Sequence, residues 1–121
     1  MRLHHVQVAC PRGGEDVVRR FYGEALGLPE VAKPEELAKR GGCWFRHPAG
    51  AEIHVGVEEP FVPAHKAHPA ILLDSVSELE ATGALLDAMG YDVDRTQRDT
   101  FPGYVRLHTF DGHGNRVELL A

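Results

Sequence analysis

The sequence predicts an α+β fold built from two copies of one strand–helix–three-strand unit, and three spacings carry that prediction. Gly27 and Gly90 each close an amphipathic helical stretch and stand 63 residues apart. His5 and His68, in the first strand of each half, are also 63 apart, and His54 and Glu118, in the last strand of each half, are 64 apart. The repeat divides the 121 residues into modules of about 1–58 and 66–121 within one domain, joined by a Pro-containing connector.

Each element follows from a local pattern. Residues 3–10 alternate β-branched side chains and read as a strand, which Pro11, Gly13 and Gly14 end. Glu15 and Asp16 then open a helix with charge that opposes the positive end of its dipole. Val17, Val18, Phe21, Tyr22, Ala25 and Leu26 form its apolar stripe, up to Gly27. A short strand over 28–32 and a helical turn over 34–39 follow. Strands over 43–46 and 52–57 are joined across His47-Pro48-Ala49-Gly50. The order then repeats with a strand over 67–73, a helix capped by Asp74 or Ser75 and running to Met89, and a short strand over 91–93. Strands over 104–110 and 116–120 close the chain, joined by the turn Asp111-Gly112-His113-Gly114-Asn115. His113 reads there as a solvated turn residue, with a place near the cavity rim as the alternative.

Composition narrows the function. With 18 acidic against 13 basic residues the net charge is −5, and no basic run is present, which argues against nucleic acid as a partner. No apolar stretch approaches the roughly 20 residues needed to cross a bilayer, so no membrane partner is expected. Two cysteines, Cys10 and Cys43, are too few for a disulfide scaffold and read as small buried hydrophobes. These features describe a small reduced protein expected in the cytoplasm. Its one unusual count is eight histidines.

Strand parity sorts those histidines. The helix stripes need an apolar sheet face, which Val6, Val8, Ile53, Val55, Val57, Ile71, Leu73, Val117 and Leu119 supply. By exclusion His5, His54, His68 and Glu118 share the opposite face, each in a first or last strand of its module. Three imidazoles and one carboxylate suit a divalent transition metal: Fe, Ni, Zn, Co or Mn. Arg106 and His108 also share a face of their strand, opposite Val105 and Leu107, and are candidates for contacting substrate, Arg106 through a bidentate grip on an anionic group.

The stretches Leu3-His4-His5-Val6-Gln7-Val8, Arg20-Phe21-Tyr22-Gly23-Glu24-Ala25-Leu26-Gly27-Leu28, Glu52-Ile53-His54-Val55-Gly56, Ala67-His68-Pro69-Ala70 and Gly114-Asn115-Arg116-Val117-Glu118-Leu119-Leu120 occur in an order that resembles the vicinal oxygen chelate superfamily. This is also called the glyoxalase/bleomycin resistance protein/dioxygenase superfamily, and the resemblance spans the whole chain. It implies paired βαβββ modules curling into an incomplete barrel, with metal ligands at the four positions that parity selects. It further implies a small-molecule substrate whose two neighbouring oxygens are chelated by the metal, in lyase, isomerase or ring-cleaving dioxygenase chemistry. His54 and Glu118 are the expected catalytic residues, with His54 either completing the ligand set or acting as a base beside it. Glyoxalase I enzymes carry a carboxylate at the His54 position, so that particular activity is not expected. The rival implication is a metal-free protein that sequesters a small molecule, as bleomycin-resistance proteins do. Exposed strand edges and an apolar rim point to a homodimer, with the two modules around one metal drawn from one chain or from two.

Overall fold

The computed structural model describes residues 1–121 and folds them into two four-stranded mixed sheets, neither of which closes on itself. In the first module β1 (Val6–Cys10) lies parallel to β4 (Glu52–Val57), followed outward by β3 (Cys43–Arg46) and β2 (Glu30–Val31). The second module repeats the order, with β5 (Ala70–Leu72) parallel to β8 (Arg116–Leu120), then β7 (Arg106–Phe110) and β6 (Val93–Asp94). The repeat extends to register: Gln7 pairs with His54 and Ala70 pairs with Glu118, which are the same two positions displaced by 63 and 64 residues.

Several strands are shorter than their sequence patterns. Residues 3–5 precede the ladder between β1 and β4, which starts at Val6 opposite Ile53. Pro69 has no N–H to give the ladder, although its carbonyl still accepts from the Glu118 amide at 3.0 Å. Tyr104 is held in a turn, its amide bonded to Phe101 O, so β7 starts two residues later.

The first helix departs from its predicted form. It begins as one α-turn, α1 (Glu15–Val18), and continues as a π-helical stretch, Arg19–Ala25. The wider turn sets the adjacent rings of Phe21 and Tyr22 on the core side together, and both are fully buried. A short α2 (Glu35–Ala38) leads into β3. The longer α3 (Val76–Ala88) starts at Ser75, whose hydroxyl accepts the Glu78 amide at 3.1 Å, while the Glu78 carboxylate takes the Asp74 amide at 2.9 Å. This reciprocal cap satisfies two helix-end donors. Gly27 and Gly90 both take positive φ where their helices stop, +67° and +86°, a conformation that favours glycine.

One apolar cluster spans both modules. Ile53, Val55, Ile71, Val117 and Leu119 line it from the sheets, and Val18, Phe21, Tyr22, Leu79 and Leu86 fill it from the helices. The Phe21 ring meets Tyr91 edge-on at 5.1 Å, across the module boundary. Cys10 and Cys43 are buried in this cluster as free thiols.

A buried polar clamp adds direction to this packing. Asn115 gives its side-chain amide to Ala9 O at 2.8 Å and to the Asp111 carboxylate at 2.9 Å, while its own oxygen accepts the Ala64 amide at 3.0 Å. Tyr22 donates its hydroxyl to Asp111. His113 is not solvated as predicted: its Nε2 donates to Gly14 O at 2.9 Å, and it packs so closely that a Cβ at Gly14 would lie 2.6 Å from it. The second module's hairpin turn therefore grips β1, the first helix and the connector at once. No helix is long and apolar enough to cross a membrane.

Candidate functional site

On the second sheet, three side chains turn their ligand atoms toward one another. Ala70, Glu118 and His108 form one cross-strand row, since β8 pairs with β5 on one side and with β7 on the other. His68 enters from just before β5. Its Nε2 lies 3.1 Å from Glu118 Oε2, and His108 Nε2 lies 3.6 Å from the same oxygen. The ligand atoms of His68, His108 and Glu118 all fall within 4.8 Å of one another.

The hydrogen bonds around this cluster orient its ligand atoms. His68 Nδ1 donates to Lys66 O at 2.8 Å, which directs the lone pair of the neutral ring to Nε2, the atom facing Glu118. Arg106 Nη1 holds Glu118 Oε1 at 3.1 Å and so turns Oε2 toward the two imidazoles. His108 is only 1% exposed, and its Nδ1 is buried without any hydrogen-bond partner. Burial, then the charge of Arg116, lowers the His108 pKa, so the ring is neutral near pH 7. Burial pushes the Glu118 carboxyl upward, but the bonds from His68 and Arg106 outweigh it and leave the group below the ordinary range. The neutral His108 and the ionised Glu118 are in the protonation states that a divalent cation requires. Their ligand atoms converge within 4.8 Å, with His108 Nε2 the ring nitrogen that faces Glu118. The donor set fits a metal.

The first sheet assembles something different from His54 and His5. The His54 ring is sandwiched between Trp44 and His5, each 3.9 Å away and nearly parallel. Its Nε2 donates to Glu52 at 2.9 Å, and Glu52 in turn is held by two bonds from Arg46. Those contacts, Arg46 first, draw the Glu52 pKa down to about 2. Burial lowers the His54 pKa despite the Glu52 bond, so this imidazole is also neutral near pH 7. His5 remains exposed and shares a hydrogen bond with His4 at 3.0 Å.

Of the four ligand candidates read from the sequence, the structure brings His68 and Glu118 together and stacks His5 on His54, but the two pairs do not merge into one ligand group. His5 does reach the seam between modules, where it lines a cavity with Glu52, Pro69 and Ala70. His108, read as a substrate contact, stands instead within the ligand cluster. Register could have placed it there: a turn that sets Phe110 opposite Arg116 necessarily sets His108 opposite Glu118. The roles of Trp44 and Glu52 depend on side-chain contacts that parity alone does not specify.

Among proteins of curated function, none matches the chain significantly. Solved structures do match. A Bacillus anthracis protein assigned to the glyoxalase family is 42% identical, with a TM-score of 0.88, and the match covers 99% of this chain and 93% of that one. A glyoxalase/dioxygenase from Nostoc punctiforme is 17% identical at a TM-score of 0.76, covering 98% and 89% of the two chains. The fosfomycin resistance protein FosX of Listeria monocytogenes is 16% identical at 0.73, covering 100% and 93%. The last two share the fold alone. The model of the Glyoxalase/Bleomycin resistance protein/Dioxygenase superfamily matches residues 2–119, and with the paired βαβββ modules it establishes that the chain belongs to that superfamily.

Proposed function

We propose that the protein is a divalent-metal-dependent enzyme acting on a small molecule that presents two neighbouring oxygens. The observation that carries this reading is the convergence of two imidazoles and a carboxylate, His68, His108 and Glu118, with their ligand atoms within 4.8 Å of one another. His68, His108 and Glu118 would hold the cation. When bound, it supplies Lewis-acid stabilisation of negative charge developing on substrate oxygens.

The chain's own residues account for the rest. Arg106 aims Glu118, and Lys66 O sets the tautomer of His68. His54 is the proposed base: Glu52 holds its Nε2–H, which leaves Nδ1 as the proton acceptor on a ring whose faces are covered by Trp44 and His5. His5, the exposed member of that stack at the seam, is the first sheet's candidate for a further ligand position.

The test is metal analysis of protein stripped with chelator, reloaded and dialysed, with about one divalent ion per chain expected to remain. A screen of diols, catechols, α-keto hemithioacetals and thiol–epoxide pairs with that metal then identifies the reaction. One observation favours the rival, metal-free sequestering reading: Arg106 already gives Glu118 a partner without a metal, and a protonated His68 would give it a second. That reading predicts no retained ion.

The proposed assembly is a homodimer. Leu3 and Leu72 are large apolar side chains left 78% and 63% exposed, more than an isolated surface position needs. Sedimentation at micromolar concentration should give the mass of two chains, and a monomer there would contradict the proposal.

A further inference from the structure

The arginine that the sequence offers for holding an anionic group is already engaged. Arg106 donates Nε to Gln97 O, Nη1 to Glu118, and Nη2 to both Gln97 Oε1 and Thr100 Oγ1. A guanidinium carries five N–H donors, so one remains, and a bidentate grip needs two. Arg106 positions Glu118 and ties the segment after β6 to it.

A second arginine lies on the same strand as Glu118 with its fork unused. Arg116 is two residues before Glu118 on β8 and so shares its face by parity. Its backbone is fixed, the amide bonded to Ala64 O at 2.8 Å and the residue paired with Phe110 across the ladder. Its guanidinium, half-buried, enters none of the molecule's side-chain hydrogen bonds or ion pairs. Next-but-one positions on one strand face set this free cation on the same face as the cluster.

The surrounding charges select the ligand. Arg106 and Glu118 offset one another. Asp94, opposite His108 across β6 and β7, is occupied by the Thr96 amide and hydroxyl. One free positive charge near one carboxylate, in a chain of net charge −5, suits a monoanion better than a dianion.

We infer that Arg116 is the anion-binding arm of the His68–His108–Glu118 site and that the substrate is a small carboxylate monoanion of the 2-hydroxycarboxylate class. The neighbouring hydroxyl rests on the metal-dependent reading proposed above, whereas the Arg116–carboxylate pair stands without it.

The test follows the Arg116 Nε–H resonance, identified by its absence from R116Q, while metal-free and zinc-loaded protein are titrated with lactate or with uncharged propane-1,2-diol. Lactate should shift the resonance saturably in both forms, and the diol should leave it in place. R116Q should bind lactate about tenfold or more weakly, as expected for loss of a charge-assisted hydrogen-bonded pair, with partial recovery in R116K. An unmoved resonance in metal-free protein, equal lactate affinity in R116Q, or equal affinity for diol and lactate overturns the inference. If the wild-type protein retains no zinc yet lactate still shifts Arg116, the metal reading fails while the anion arm stands.

Discussion

Asn115→Ala lowers the stability of the protein by about 3 kcal/mol, enough to drop the melting temperature by roughly 10 °C in a domain of this size. The magnitude follows from what the side chain leaves behind. Asn115 is 1% exposed and serves three otherwise separate groups: the Ala9 carbonyl, the Asp111 carboxylate and the Ala64 amide. Truncation strips a donor from the first two and an acceptor from the third. Each polar group orphaned in a buried site costs about 1–3 kcal/mol, and water entering the gap recovers part of the sum. The buried Asp111 carboxylate is the costliest of them, because it keeps only Tyr22 and backbone amides as partners. Lys39→Ala provides the contrast. That side chain holds only an exposed ion pair with Glu36, and its loss should cost less than about 1 kcal/mol. Chemical denaturation of both variants checks the pair, and a cost at Asn115 no larger than at Lys39 would show that the clamp does not join the modules.

His68→Ala and Glu118→Ala should each abolish high-affinity metal binding, with a loss above the roughly 10–100-fold that removal of a supporting residue causes. The two losses have different origins. His68→Ala removes an imidazole donor already oriented by Lys66 O. Glu118→Ala removes the only carboxylate of the group and also frees the Arg106 guanidinium, leaving a net positive site that repels a cation. Glu118→Ala should therefore be the more damaging, and it should not be rescued by excess metal. His54→Ala, on the other sheet and outside the ligand group, should retain most of the affinity. Isothermal titration with zinc measures all three. An equal loss in His54→Ala would mean that the stack on the first sheet belongs to the coordination sphere.

The fold was largely legible because its determinants are local. Gly27 and Gly90 end their helices through a backbone conformation, and Ser75 caps α3 through its own hydroxyl, so both could be read from residue type and position. The repeat was legible because equivalent registers impose equivalent spacings, as Gln7 with His54 and Ala70 with Glu118 show. The π-helical stretch was not, since Val18, Phe21, Tyr22 and Ala25 give much the same stripe whether the turn is α or π. His113 was read as a turn residue, and nothing local reveals that the turn folds back onto Gly14, a contact across 99 residues.

The site divides along the same line. Parity gave the faces of His54, His68 and Glu118 because alternation is a property of one strand. It could not state that Trp44 and His5 would enclose His54, or that Arg106 would be consumed by Gln97, Thr100 and Glu118. Those contacts depend on how long side chains share space between strands. The consequence is a redistribution of roles within one sheet face: His108 moves from substrate contact to proposed ligand, and Arg116 replaces Arg106 as the proposed anion arm.

The central claim, that His68, His108 and Glu118 hold a divalent cation, is tested most directly by titrating chelator-stripped protein with cobalt(II) and recording its visible absorption. The account predicts saturation at about one equivalent per chain, with d–d bands of nitrogen–oxygen coordination that are lost in His68→Ala and altered in His108→Ala. A spectrum that stays that of aqueous cobalt throughout, from wild-type protein that remains folded, would contradict it.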